Sequence, residues 1–133
     1  MSLIDLKLVD EAGFFRRTLE CAVVRLICER SASVPLPEDF LLALGANLKL
    51  QDFYIENPSP DKLMELDNEF HHLLFSFADK ERCYRMCRDM GIHFDRVRHL
   101  ALHSVKDLKI VNDHHAIYDA IRSGNALQGE KLM

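Results

Sequence analysis

Asp67-Asn68-Glu69-Phe70-His71-His72-Leu73-Leu74 is the stretch on which the reading of this chain turns. On a helix, Asp67 and His71 stand one turn apart on the same side, with Cβ atoms about 5–6 Å apart. Leu63, Leu66, Phe70, Leu73 and Phe77 recur at helical spacing and form the apolar stripe that a helix turns toward a core. The Asp67/His71 edge flanks that stripe and looks partly inward. A carboxylate and an imidazole at the border of a core are costly unless something pairs with them. A divalent metal accepts one oxygen and one nitrogen ligand at this spacing. An Asp–His hydrogen bond, or two solvated side chains, fits the same spacing, and the pattern by itself leaves all three open.

Working outward, Asn57-Pro58-Ser59-Pro60 is a break that doubles as a start signal. Ser59 suits the cap, Pro60 the first helical position and Asp61 the positive helix end, so a helix is expected from Pro60 to about Ala78. Upstream, Phe40, Leu41, Leu44, Leu48 and Phe53 predict a helix from Glu38 to about Ile55, set off by Pro35 and Pro37. Phe15, Leu19, Val23, Leu26 and Ile27 predict another from about Asp10 to Arg30, with Arg16 and Glu20 one turn apart beside its apolar face. Residues 1–9 read as an extension or cloning remnant ahead of a domain spanning 10–133.

Downstream, Cys83, Met86, Met90, Phe94, Val97 and Ala101, with Leu100 alongside, predict a long helix from about Lys80 to His103, which Gly91 can bend. Ser104 and Asp107 resemble a capping box for a fifth helix. On it Ile110, His114, Ile117 and Ile121 share one face, while His115 points about 100° away. Ser123-Gly124-Asn125 closes that helix. Asn125 and Gln128 look like the start of a sixth, which the chain's end at Met133 would cut short. No stretch alternates as a strand with hairpin turns does, so the expected class is all-α, an antiparallel bundle of about six helices.

The 133 residues suffice for one domain with one hydrophobic core. A formal net charge of −4 without a basic stripe argues against nucleic-acid binding by this segment alone. The apolar runs are too short for a membrane span and nothing resembles a signal peptide. Cys21, Cys28, Cys83 and Cys87 fall at helical spacing within apolar patterns, which fits buried free thiols and a cytoplasmic location. Cys83 and Cys87 lack the second pair that a C-x-x-x-C metal site would need.

Three runs occur in order: Asp67-x-x-Phe70-His71-x-x-Leu74, then His93-Phe94-Asp95-Arg96-Val97-Arg98-His99-Leu100, then Asp113-His114-His115-Ala116-Ile117-Tyr118-Asp119-Ala120-Ile121-Arg122-Ser123-Gly124-Asn125. Together they resemble the C-terminal effector-binding (FCD) domain of GntR-type transcription regulators, FadR subfamily. Phe15-Arg16-Arg17-Thr18-Leu19-Glu20 is similar to the Arg-x-x-Leu-Glu of that family's first domain helix. The resemblance runs from about Asp10 to Met133.

The resemblance implies an antiparallel helical bundle in which an Asp, a His one turn later and two further His hold a divalent metal. A small carboxylate or sugar-acid effector binds at or near the ion. Carried over, Asp67 and His71 match the first two ligands and His114 the third. His114 is preferred to His115 because it precedes the family's Ile-x-x-Ala-Ile pattern and lies on the apolar stripe. The fourth ligand would fall beyond Met133, so the site in this chain is expected to be incomplete. One carboxylate and neutral imidazoles suit zinc, nickel or manganese. Arg16, Arg96 and Arg98 are candidates for clamping an effector carboxylate, since the guanidinium fork matches it bidentately. His93, His99 and His103 are weaker candidates for a pocket lining, and His72 and His115 are expected to face solvent or a partner.

Such regulators bind DNA through an N-terminal winged helix-turn-helix, for which this chain has no segment, so it reads as a trimmed fragment or a stand-alone sensor. A homodimer is expected by analogy. Sensing rather than turnover is expected, since no second acid or base accompanies the motifs. The alternatives are a small metal-dependent hydrolase on a helical bundle and a metal-free helical interaction domain.

Overall fold

The prolines mark breaks between helices, and the apolar periodicities around them resolve into helices. The computed structural model describes residues 6–90 and 106–123, and within them lie five α-helices and no strand. They are α1 (Leu6–Ser33), α2 (Glu38–Glu56), α3 (Pro60–Phe77), α4 (Glu81–Met90) and α5 (Lys106–Ser123). α1 starts upstream of the expected Asp10. The expected continuation of α4 to His103, the bend at Gly91, the caps at Ser104 and Gly124 and the sixth helix all lie outside the described residues, as does the side chain of Ile110.

Side-chain pairs give the register. Phe40 stacks on Phe77 with ring centroids 4.0 Å apart, Asn47 Nδ2 donates to Leu66 O, and Tyr54 and Ile55 pack on Leu63, so α2 and α3 run antiparallel. α5 is antiparallel to α2: Tyr118 Oη donates to Leu41 O, and His114 meets Gln51 further along. Tyr118 lies against Gly45, where an added Cβ would come within 3.4 Å of its hydroxyl oxygen. α1 runs parallel to α3, with Arg16 opposite Asp67, Glu20 opposite His71 and Arg30 over Phe77. α4 folds back on α1 and α3.

The caps follow local chemistry only in part. Ser59 is the extended residue before Pro60, but its side chain makes no capping hydrogen bond; its carbonyl accepts from Leu63 instead. α3 ends in a pair of reverse hydrogen bonds, Lys80 N–H to Phe75 O and Asp79 N–H to Ser76 O, with Asp79 at φ 60° where glycine is commonest. α2 opens with Glu38 and Asp39, whose charges complement the helix dipole.

In α1, α2 and α4 the buried face is slightly rotated from the one the apolar residues suggest. In α1 the core takes Val23, Val24, Ile27 and Cys28, with Phe15 and Leu19 partly buried. Leu26, Phe53 and Met86, expected on inward stripes, are 44%, 52% and 56% exposed. They sit at the edges of broad apolar arcs, and the neighbouring helix covers only part of each arc. In α4 the buried position is Cys87 rather than Met86. In α3, Leu63, Leu66 and Phe70 are buried as expected, joined by Leu74 and Phe75, while Leu73 and Phe77 are only partly covered. All four cysteines are free thiols; Cys28 and Cys87 are buried, and Cys21 and Cys83 are half-buried. None of the helices described is long and apolar enough to cross a membrane.

Leu44 is fully buried in the apolar core, whereas Leu42 two residues away is exposed. Leu44→Ala should therefore cost about 2–5 kcal/mol of unfolding free energy in urea, from lost transfer energy and the cavity left behind. Leu42→Ala should stay within about 0.5 kcal/mol.

Candidate metal centre

α3 supplies the framework. Phe70 points to the middle of the core, and the adjoining edge of the same helix carries Asp67 and His71. The sequence suggests a half-inward edge, but Asp67 is only 2% exposed and His71 5%, because α1 and α5 both close over it. α5 brings His114, 4% exposed, to the same place. His114 Nε2 lies 3.1 Å from Asp67 Oδ1, and His71 Nε2 lies 3.4 Å from the same oxygen. One carboxylate oxygen and two imidazole nitrogens thus fall within 4.8 Å of one another in a dry setting. Among the described residues this is the one group of three or more potential metal ligands.

Neighbouring groups hold both rings. His71 Nδ1 faces Glu20 Oε1 at 3.2 Å, and Arg16 Nε donates to that same oxygen at 2.7 Å. The Arg16 guanidinium also reaches to 3.9 Å from Asp67 Oδ2, so one cation steadies two buried carboxylates. On the other side His114 Nδ1 is 2.8 Å from Gln51 Oε1. The His114 ring stacks on Phe70, centroids 4.7 Å apart and planes 22° apart, and meets His71 edge-on. In each imidazole, then, Nδ1 is turned to a neighbouring acceptor oxygen while Nε2 is turned to Asp67.

That donor set fits a divalent ion. Two nitrogens and an acidic oxygen from different helices are suitable ligands, and imidazoles that bind metal usually engage an oxygen acceptor through the other ring nitrogen. The ligand must be the neutral ring. Burial holds His71 down from its ordinary 6.5 to about 4; the Glu20 carboxylate opposes this and Arg16 adds to it. His71 is accordingly neutral at physiological pH.

Arg16 is at the site, nearly buried and engaged with Glu20 and Asp67. It also lines a small cleft with Glu20, Phe75, Tyr84, Cys87 and Arg88 that adjoins the cluster. Arg96 and Arg98 lie outside the described residues, as do His93, His99 and His103. His115 Nε2 donates to Asp52 Oδ1, 2.8 Å away, on the half-exposed side of α5. His72 stacks on Tyr84 and bonds to Glu81. Burial pushes the Cys87 thiol up to about 11, helped by Glu20, so it stays protonated and is a poor ligand.

The sequence reading missed three polar residues in contact with the cluster or its partners: Glu20, Asn47 and Gln51, all buried. A signal existed for each. Glu20 stands one turn from Arg16. Asn47 and Gln51 stand one turn apart on the face of α2 that Phe40, Leu44 and Leu48 turn inward, where apolar residues are the rule.

The depressed His71 value sets a pH dependence for the chelator-treated protein. Because the folded value lies below the unfolded one, folding favours the neutral ring. That contribution is complete above the ordinary 6.5 and is lost as pH falls to about 4. Urea midpoints should drop across this window, and the drop should be smaller in His71→Gln.

The FCD domain family's sequence profile matches residues 11–133. The HTH-type transcriptional repressor RspR of Escherichia coli (strain K12) is 31% identical over 128 residues, covering 94% of this chain and 54% of that protein. An uncharacterized HTH-type transcriptional regulator, YdfH, gives the same figures in Shigella flexneri and in Escherichia coli O6:H1. The chain spans about half the length of these curated relatives. The relatives bear the names of transcriptional regulators and not of enzymes. With nearly its whole length matched and this kinship to helix-turn-helix regulators, the chain belongs to the FCD domain family.

Proposed function

We propose that this chain is the ligand-sensing domain of a cytoplasmic transcription regulator of the GntR type, FadR subfamily. It holds a divalent metal (zinc, nickel or manganese) through Asp67, His71 and His114. It takes up a small carboxylate or sugar-acid effector at or near that ion, and so controls DNA binding by a separate winged helix-turn-helix domain. The observation that carries the reading is the convergence of an acidic oxygen and two imidazole nitrogens, from α3 and α5, at one buried point.

A bound ion would act as a Lewis-acidic anchor for an anionic ligand. The chain's own residues do the rest. Asp67 is the single charged ligand, so a dication keeps net positive charge and attracts an anion. Glu20, steadied by Arg16, orients His71. Arg16, paired with Glu20, and Arg88 line the small adjoining cleft. Arg96 and Arg98 keep their expected role in effector binding as part of the proposal.

Coupling to DNA follows from thermodynamics. An effector moves the balance between two arrangements of a dimer only by its differential affinity for them. The cluster draws groups from α1, α3 and α5, so ligation there alters how those helices are held together. That gives an effector a physical handle on the arrangement of a homodimer.

Metal binding is tested by thermal melting with and without zinc or nickel. An ion that binds only the folded state stabilises it by about 2.7 kcal/mol at a hundredfold excess over Kd, a shift of several degrees. Asp67→Ala, His71→Ala and His114→Ala should each abolish the gain; His115→Ala should keep most of it. No shift in the wild type, with no metal in the purified protein, would overturn the reading in favour of a metal-free helical interaction domain. With zinc loaded, a panel of small carboxylates and sugar acids should contain ligands that raise the melting temperature further. Metal-dependent turnover of an ester or phosphate panel would instead favour a hydrolase.

A further inference from the structure

We infer that Asn47 and Gln51 are positioning residues: a two-amide relay, anchored on the Leu66 carbonyl, that places the ring hydrogen of His114 on Nδ1 and aims the Nε2 lone pair at the Asp67/His71 point. The inference deepens the metal-sensing reading and rests on it only for the affinity measurements below.

The chain of donors has one solution. Leu66 O can only accept, so the Asn47 atom 3.0 Å away is the Nδ2 amide nitrogen, and it donates. Asn47 therefore turns its Oδ1 oxygen toward Gln51, whose Nε2 donates to it at 2.5 Å. Gln51 is left with its Oε1 oxygen facing His114 Nδ1 at 2.8 Å, so Nδ1 carries the hydrogen. Nε2 is then the nitrogen 3.1 Å from Asp67 Oδ1.

Burial makes this assignment binding on the molecule. Asn47, Gln51 and His114 are 2%, 1% and 4% exposed, so solvent does not compete for these groups. Two amides are costly in a core unless satisfied. They stand on the face of α2 where Leu44 and Leu48 pack, and where two further leucines would give a drier core. Their hydrogen bonds donate in one direction, from a single ring nitrogen through both amides to the Leu66 carbonyl. Phe70 stacks against His114 and sets the plane of the ring, but stacking is indifferent to which nitrogen holds the hydrogen. The relay supplies that choice. It also differs from the setting of His71, whose Nδ1 faces the carboxylate of an Arg16–Glu20 ion pair on α1.

The test combines imidazole nitrogen NMR of the labelled protein with zinc affinity from competition against a chromophoric chelator. In the wild type, zinc-loaded and chelator-treated, His114 should show a protonated Nδ1 whose hydrogen exchanges slowly. Gln51→Met removes the acceptor at similar volume and should lower zinc affinity 10–100-fold, with Nδ1 exchange accelerated. Asn47→Leu, which touches neither histidine, should cause a comparable loss. The double variant should be no worse than Gln51→Met, because Asn47 acts through Gln51; a mere packing role would add the two losses. Leu48→Ala is the control: it loosens the same helix face and should leave the His114 nitrogen pattern unchanged. An unprotonated Nδ1 in the wild type overturns the inference, as does unaltered affinity in a folded Gln51→Met. If the wild type binds no zinc, the metal reading fails, and the His114 nitrogen spectrum still decides the relay.

Discussion

The constraint from which the rest follows is a carboxylate placed inside a helical core. Asp67 stands one helical step from Leu66 and three from Phe70, both buried, and is itself among the least exposed polar residues described. Removing an ionised carboxylate from water costs several kcal/mol even after relaxation. Around it the fold gathers polar groups from several directions: the Arg16 guanidinium from α1, which is the nearby cation, and the Nε2 atoms of His71 and His114 from α3 and α5. α2 joins indirectly, through Gln51 at His114. The polar cluster is thus as much a junction of the bundle as the apolar core beside it.

The two layers do different work. The apolar layer, from Val24 and Ile27 through Leu44 to Phe70, Leu74 and Ile117, supplies bulk stabilisation and tolerates exchange of similar volumes. The polar layer is directional. The Arg16–Glu20 ion pair sets a carboxylate oxygen against His71 Nδ1, while Asn47 with Gln51 holds His114 by neutral hydrogen bonds. Both leave an Nε2 directed at one oxygen. Neutral partners on one side and an ion pair on the other keep the cluster from accumulating buried charge. On the sensing reading, a ligand that alters the hold of this junction changes the packing of helices distant in sequence, which is what a regulatory domain requires.

Several parts of this were legible in the residues. Prolines at 35, 37, 58 and 60 mark the ends of helices as expected, and the all-α class follows from periodicity with no alternating stretch. Asp67 and His71 share an edge because four residues make about one turn. The faces were read less well. Leu26, Phe53 and Met86 belong to apolar arcs wider than the neighbouring helices cover, so hydrophobicity alone overstates which of them are inside. Glu20, Asn47 and Gln51 were passed over because a polar residue near a core is ordinarily solvated, and its burial depends on a partner the local pattern does not contain.

Periodicity assigns each side chain a direction around its own helix axis, and this determined that Asp67 with His71, and His114 with Ile117 and Ile121, each lie on one face. It carries no information about the rotation of one helix against the next, or about which helices are neighbours. Only the tertiary structure decided that α5 packs on α1 and antiparallel to α2, and so faces α3 across the core, bringing His114 Nε2 to 3.1 Å from Asp67 Oδ1 across more than forty intervening residues. The physical reason is that packing, which sets those rotations, is a property of whole complementary surfaces. Directional hydrogen bonds such as Gln51 to His114 then select among the orientations that packing allows.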